Sequence, residues 1–168
     1  PEEVETIIGI ISAIKGGKKW VDFNSHTNQL EEGELSFHDF MIIAPYNRQR
    51  IAIQNELLDK LKFDGMTEEI AQSIVGTVDK FQGKEAPVVI YSMTTSNEDC
   101  IPAGREDFIF KPNRLNVAVS RAQCLAIVLA NEKLVDTRTN KIRTMEHLNH
   151  LCRYFSDEGV ASRLEIAD

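Results

Sequence analysis

Three stretches leave this chain little choice of architecture: "FMIIAP" (Phe40 to Pro45), "PVVIYSMT" (Pro87 to Thr94) and "CLAIVLAN" (Cys124 to Asn131). Each is almost continuously apolar, with no polar residue at every second position. A strand with one wet face would alternate, so these runs predict strands covered on both faces, the mark of a parallel sheet inside helical layers. A shorter run, Val75–Val78, is a fourth strand candidate.

Helical spacing appears between and around them. Residues 2–15 place Val4, Ile7, Ile8, Ile11 and Ile14 on one face, and Gly16 and Gly17 stop that helix. "YNRQRIAIQNELLDKLKF" carries Ile51, Ile53, Leu57, Leu58 and Leu61; "RLNVAVSRAQ" reads as helix; residues 143–156 repeat the pattern through Met145, Leu148, Leu151, Cys152 and Phe155. Residues 18–38 are polar and read as loop or weak strands. Strands alternating with helices predict an α/β fold with a mainly parallel sheet flanked by helices. No repeat or linker divides the chain, so residues 1–168 are expected to form a single domain. The start at Pro1, with a helix first and no initiator methionine, gives the expectation of a piece of a longer protein.

Charge narrows the function. With 19 Lys+Arg against 26 Asp+Glu the net charge is -7, which argues against an autonomous nucleic-acid-binding module but allows a local contact within a larger machine. Three cysteines, Cys100, Cys124 and Cys152, form no CxxC pair, so a reducing cytoplasm is expected and a disulfide framework is not. Cys124 and Cys152 are expected to serve as small core residues. No apolar run is long enough for a transmembrane helix. His147 and His150 stand three apart on the last helix without a Cys or carboxylate set, so no metal site is expected.

In open α/β sheets ligands sit beyond the carboxyl ends of strands, and three polar segments are expected there: Pro45–Gln49, Thr77–Glu85 and Asn113–Arg121. The second raises the sharper question. "VGTVDKFQGKEAPVVI" puts Thr77, Asp79, Lys80, Gln82, Gly83, Lys84 and Glu85 between two apolar runs, which is a plain turn or a loop facing a ligand.

"APYNRQ", "VGTVDKFQGKEAPVVIYSMTTSN" and "RLNVAVSRAQCLAIVLAN" resemble the successive motifs of the second RecA-like motor domain of superfamily 1 helicases, in the Upf-like and DNA-helicase branch. The likeness covers roughly residues 40–131. The tail "RTMEHLNHLCRYF" resembles bacterial members in which the motor follows a RecB-like nuclease domain. No P-loop GxxxxGK[ST] occurs: "KGGKK" (15–19) trails a helix and has no Ser or Thr after its lysine. The resemblance therefore implies a RecA-like fold without its own P-loop, with ATP and Mg2+ bound mainly by an upstream first motor domain and this fragment inactive alone.

It also assigns roles. Arg121 matches the arginine that reaches across the cleft to the transferring phosphoryl group, a role suited to a permanently charged planar fork. Glu85 matches the ribose-binding carboxylate, preceded by Gln82 and by Gly83, which lets backbone approach the nucleotide or adopt a positive φ. Thr77 matches a threonine on a nucleic-acid phosphate. Arg48 is a candidate phosphate contact and Asn97 a candidate strand-contacting amide; Asp79 is placed to couple the two sites, and Asn116 to brace its motif. Tyr46 is expected to pack against the domain and Gln49 to cap the following helix. The partners implied are single-stranded nucleic acid, DNA rather than RNA, the first motor domain, a fused nuclease domain, and no membrane. Other readings of the same residues are an RNA helicase of this branch, a non-catalytic α/β docking module, and a nucleotide-binding regulatory domain outside helicases.

Overall fold

The computed structural model describes residues 2–15, 19–24, 28–93, 112–131, 134 and 141–156. In chain order these form α1 (Glu2–Lys15), β1 (Lys19–Asn24), β2 (Gln29–Glu34), β3 (Phe40–Ile43), α2 (Asn47–Leu61), α3 (Glu68–Ile74), β4 (Val75–Gly76), β5 (Ala86–Ser92), α4 (Pro112–Val119), β6 (Ala122–Leu129) and α5 (Ile142–Ser156), with short 3-10 turns at Phe37–Asp39, Lys62–Asp64 and Asp79–Phe81.

The apolar runs become neighbours. Strands β3 to β6 form one sheet in the order β4-β3-β5-β6, and every pairing is parallel. Alternate residues feed two cores. Phe40, Ile42, Val75, Val88, Ile90 and Ile127 pack beneath α1, α2 and α3, while Met41, Ile43, Val89 and Tyr91 pack against α4 and α5. Burial on both faces is why β3 and β5 do not alternate, whereas β6, at the edge of the sheet, departs from the expectation: Gln123, Cys124, Leu125 and Ala126 are exposed and only Ile127 is buried. The four-residue β3 is buried throughout.

Helical faces follow the spacing with small shifts. On α1 the buried side chains are Val4, Ile7, Ile10 and Ile11, with Ile8 and Ile14 packed at the margin. On α2 they are Ile53, Gln54, Leu57 and Leu61, while Ile51 is exposed. Of the two alternatives expected for residues 18–38, loop or weak strands, the structure has strands. Strands β1 and β2 pair antiparallel, with Lys19 opposite Glu34 and Asn24 opposite Gln29, and Asn28, just before β2, takes φ 55, a conformation asparagine tolerates. The seven-residue α3 is the element the sequence did not predict; Thr67 caps it by accepting from the Ile70 N–H at 3.2 Å.

The fourth strand is shorter than Val75–Val78, ending at Gly76, and the chain then crosses back over β3 to reach β5. Ile43 is level with both Gly76 and Tyr91, and Tyr91 lies five positions beyond Ala86. Residues 77–85 must therefore descend the sheet by roughly 16 Å at about 3.3 Å per residue. Phe81, only 3% exposed, plugs this crossover into the α4/α5 core. The β3-to-β4 link runs over the other face, so the two crossings travel in opposite directions on opposite faces, as a single hand of crossover requires.

Candidate nucleotide and nucleic-acid site

That crossover separates the predicted residues into two groups. Thr77 follows β4 at the carboxyl edge of the sheet, whereas Glu85 immediately precedes β5 and Arg121 immediately precedes β6. The expectation that all three polar segments lie beyond carboxyl ends is thus corrected: the Gln82–Glu85 stretch and Arg121 belong to the amino edge. The cause is connectivity, because a parallel strand can be entered only from its amino end.

At the amino edge, Ala86 and Ala122 are register partners, and the Ala86 N–H donates to the Arg121 carbonyl at 3.0 Å. This fixes Glu85 and Arg121 on adjacent strand starts. Arg121 is held by the end of α4: its N–H donates to the Ala118 carbonyl at 3.2 Å, and the Ser120 N–H donates to the Asn116 carbonyl at 3.0 Å. Asn116 thus contributes its backbone carbonyl to the turn, while its side chain is exposed. Arg121 itself is half-buried, and its Nε is buried with no hydrogen-bond partner among the described residues. Gln82, Gly83, Lys84 and Glu85 are exposed. Gly83 has φ 75, the left-handed region that favours glycine. No ion pair joins Glu85 to Arg121 among the described residues. A carboxylate and a guanidinium placed together, neither neutralising the other, can receive a ligand with both hydroxyls and phosphate.

At the carboxyl edge, the Ala44 N–H donates to the Gly76 carbonyl at 2.9 Å and joins the ends of β3 and β4. Beyond this lies an open groove of about 660 Å³ lined by Asn47, Arg50 and Gln54 of α2, Glu69, Gln72 and Ser73 of α3, and Thr77 with Lys80. Thr77 is half-buried, and its carbonyl accepts from the Lys80 N–H at 3.1 Å. Arg48 is exposed and does not line the groove; Arg50 takes that place. Arg50 Nη1 donates to Gln54 Oε1 at 3.1 Å, and Gln54 Nε2 donates to the Val75 carbonyl at 3.5 Å. Lys80 Nζ donates to the carbonyls of Gln72 and, at 3.0 Å, Val75, at the end of α3. Burial holds its pKa below the ordinary lysine value, and the charges of Arg50 and Lys84 push it the same way.

The sequence reading missed Arg50, Gln54 and Lys80. The first two were visible in the spacing Asn47, Arg50, Gln54, which puts three polar side chains on one face of a helix start. Gln49 does not cap α2: its Nε2 donates to Ser92 Oγ at 3.2 Å, and Ser92 in turn donates to the Glu3 carboxylate. Tyr46 packs at the margin of the α4/α5 core, as expected. Asp79 opens the 3-10 turn and is exposed. Cys124 is exposed and Cys152 half-buried, so neither is a fully buried core residue. Among the described residues no group of His, Cys, Asp and Glu is placed to hold a metal, and no helix is long and apolar enough to cross a membrane. Asn97 lies outside the described residues.

The sequence is similar to those of known proteins. A family profile described as AAA domain matches residues 2–133. The chain is similar to the putative helicase MOV-10 of Gallus gallus, 32% identical over 128 residues that cover 74% of this chain and 12% of that protein. It is similar to the DNA replication ATP-dependent helicase/nuclease DNA2 of Homo sapiens, 34% identical over 150 residues, 89% of this chain and 12% of that protein. It is also similar to the regulator of nonsense transcripts 1 homolog of Neurospora crassa, 31% identical over 120 residues, 71% of this chain and 10% of that protein. The chain spans 12% or less of the length of these relatives.

Proposed function

The chain belongs to the AAA domain family that forms the helicase C-terminal region of Upf-like superfamily 1 helicases, and on that premise we propose that it is the second RecA-like motor domain of an ATP-driven nucleic-acid translocase. The observation that carries this reading is the pairing of Glu85 with Arg121 on adjacent strand starts, unneutralised, with Arg121 Nε unpartnered among the described residues. A first motor domain holds ATP and Mg2+; this domain closes on them. Glu85 accepts from the ribose hydroxyls, the Gln82–Gly83 turn admits the nucleotide, and the Arg121 fork stabilises charge on the phosphoryl group as it transfers. Thr77 sits at the far end of the same crossover and meets the nucleic-acid backbone. A shift at the nucleotide end thereby reaches the strand end through nine residues, 77–85.

The track is DNA in this reading. Supporting it, similarity to the human helicase/nuclease covers 89% of the chain and so runs past residue 133, into the terminal helix. A nuclease domain on the same polypeptide and a reducing, cytoplasmic setting, suited to the free Cys124 and Cys152, belong to the same proposal.

The test is strand-stimulated ATP hydrolysis by the full-length protein, with single-stranded DNA and RNA compared, in wild type and Arg121→Ala. Stimulated hydrolysis that falls by about 10³–10⁵-fold in the variant supports the reading. Absence of stimulation by either strand, or wild-type turnover in Arg121→Ala, overturns it.

A further inference from the structure

The groove at the carboxyl edge holds two cations, and they are used differently. Lys80 has three N–H donors, and two point at the carbonyls of Gln72 and Val75. Those carbonyls stand at the end of α3, where the last helical carbonyls lack partners within the helix. The ammonium is thereby committed to the fold. Arg50 has five donors; Nη1 goes to Gln54 Oε1 at 3.1 Å, and no other side-chain hydrogen bond or ion pair engages the guanidinium among the described residues. Gln54 is 8% exposed, and its amide spans from Arg50 to the Val75 carbonyl. The guanidinium is therefore oriented by a buried amide at one corner while its remaining donors are left for the groove.

We propose that Arg50, oriented by Gln54, grips a phosphodiester of the nucleic-acid strand beside Thr77, and that Lys80, although it lines the same groove, ties the crossover to α3 and carries no phosphate. This rests on the reading of the groove as the strand path. Charge argues for it. Arg50 and Lys80 are close enough that Arg50 depresses the lysine's pKa, second only to burial. The repulsion between these like charges is relieved when an anion docks on Arg50, the one whose donors the fold leaves uncommitted. Asn47 and Thr77 add a neutral amide and a hydroxyl to the same wall, groups that position a phosphate without reading bases.

The experiment is the salt dependence of binding of the full-length protein to single-stranded oligothymidylate. Each phosphate neutralised contributes about 0.7 to the slope of log K against log salt. Arg50→Ala and Arg50→Gln are both expected to lower the slope by about that amount and weaken binding, whereas Lys80→Met keeps the wild-type slope and lowers the unfolding temperature. Gln54→Leu is expected to weaken binding in the wild-type background and to add nothing in Arg50→Ala, which a purely structural role would not produce. An unchanged slope in both Arg50 variants, or a lowered slope in Lys80→Met, overturns the assignment. If wild type binds no strand, the underlying reading of the groove fails with it; if wild type binds and Arg50 is silent, only this inference fails.

Discussion

Replacing Gly76 with alanine tests the crossover directly. A Cβ at this position would lie 2.5 Å from Lys80 Cδ and 2.8 and 3.0 Å from two ring carbons of Phe81, Cε2 and Cζ. Real Cβ atoms do not sit so close, and the neighbours are poorly placed to retreat. The lysine stem is tethered at its tip by two carbonyls, and the Phe81 ring is 3% exposed within the α4/α5 core. Swinging Lys80 away forfeits hydrogen bonds from a charged group, and still leaves the ring contact. Moving Phe81 is overpacking, which costs about 1–3 kcal/mol. Together the two responses put the expected destabilisation of Gly76→Ala at about 2–4 kcal/mol. In urea the midpoint should fall with the slope unchanged, and the melting temperature by about 2–4 °C for each kcal/mol. Phe81→Leu on the same background should recover part of the loss. Gly83→Ala is the contrasting case: nothing stands within 4 Å, but φ is +75, so its cost is conformational, about 1–2 kcal/mol, and Phe81→Leu does nothing for it. Gly76→Ala with stability within about 0.5 kcal/mol of wild type would refute the packing argument.

Other expectations concern single groups. Burial raises the Tyr91 pKa to about 12, with Tyr46 and Glu3 pushing the same way and Arg114 opposing. The folded state thus keeps its proton where the unfolded chain, near pH 10, gives it up. This stabilisation is complete below pH 10 and lost as pH rises towards 12, about 2–3 kcal/mol in all; a phenolate titration at 295 nm in which all tyrosines ionise near pH 10 contradicts it. Arg121→Lys is expected to stay within about tenfold of Arg121→Ala in turnover, because an ammonium cannot reproduce the planar fork; near-wild-type kcat would show that charge alone suffices. Glu85→Ala should raise the KM for ATP more than it lowers kcat, and the reverse split would move Glu85 from ribose to chemistry. Arg48→Ala, outside the groove, should leave strand affinity within about twofold, a value well below the loss expected for one phosphate contact.

The layers of this fold could be read from the chain because burial leaves a direct trace. "FMII" is apolar at every position because both of its faces are covered, and no turn or exposed helix would tolerate that run. The β1–β2 pair left a fainter trace, legible only as loop or weak strands: its second strand reads "QLEEGE", and its pairing is carried by the backbone rather than by side-chain type. Short α3 was equally silent, since seven residues are too few for a period to declare itself.

The placement of the candidate site residues was half legible for a related reason. Motif order along the chain names Thr77, Glu85 and Arg121, but order says nothing about which edge of the sheet each occupies. That is set by whether a residue leaves a strand or enters one, and here the same loop does both. Thr77 leaves β4 and Glu85 enters β5, so a nine-residue crossover, too short to contain the usual helix, spans the sheet from one edge to the other. Its fixed points follow from that task. Gly76 admits Lys80 and Phe81 against the strand end, Lys80 ties the first turn to α3, Phe81 anchors the middle in the opposite core, and Gly83 turns the chain into β5. A loop fastened between its ends, by Lys80 to α3 and by Phe81 in the core, does not readily absorb a displacement at one end. It passes the displacement on, which is the property that the proposed coupling of nucleotide to strand requires.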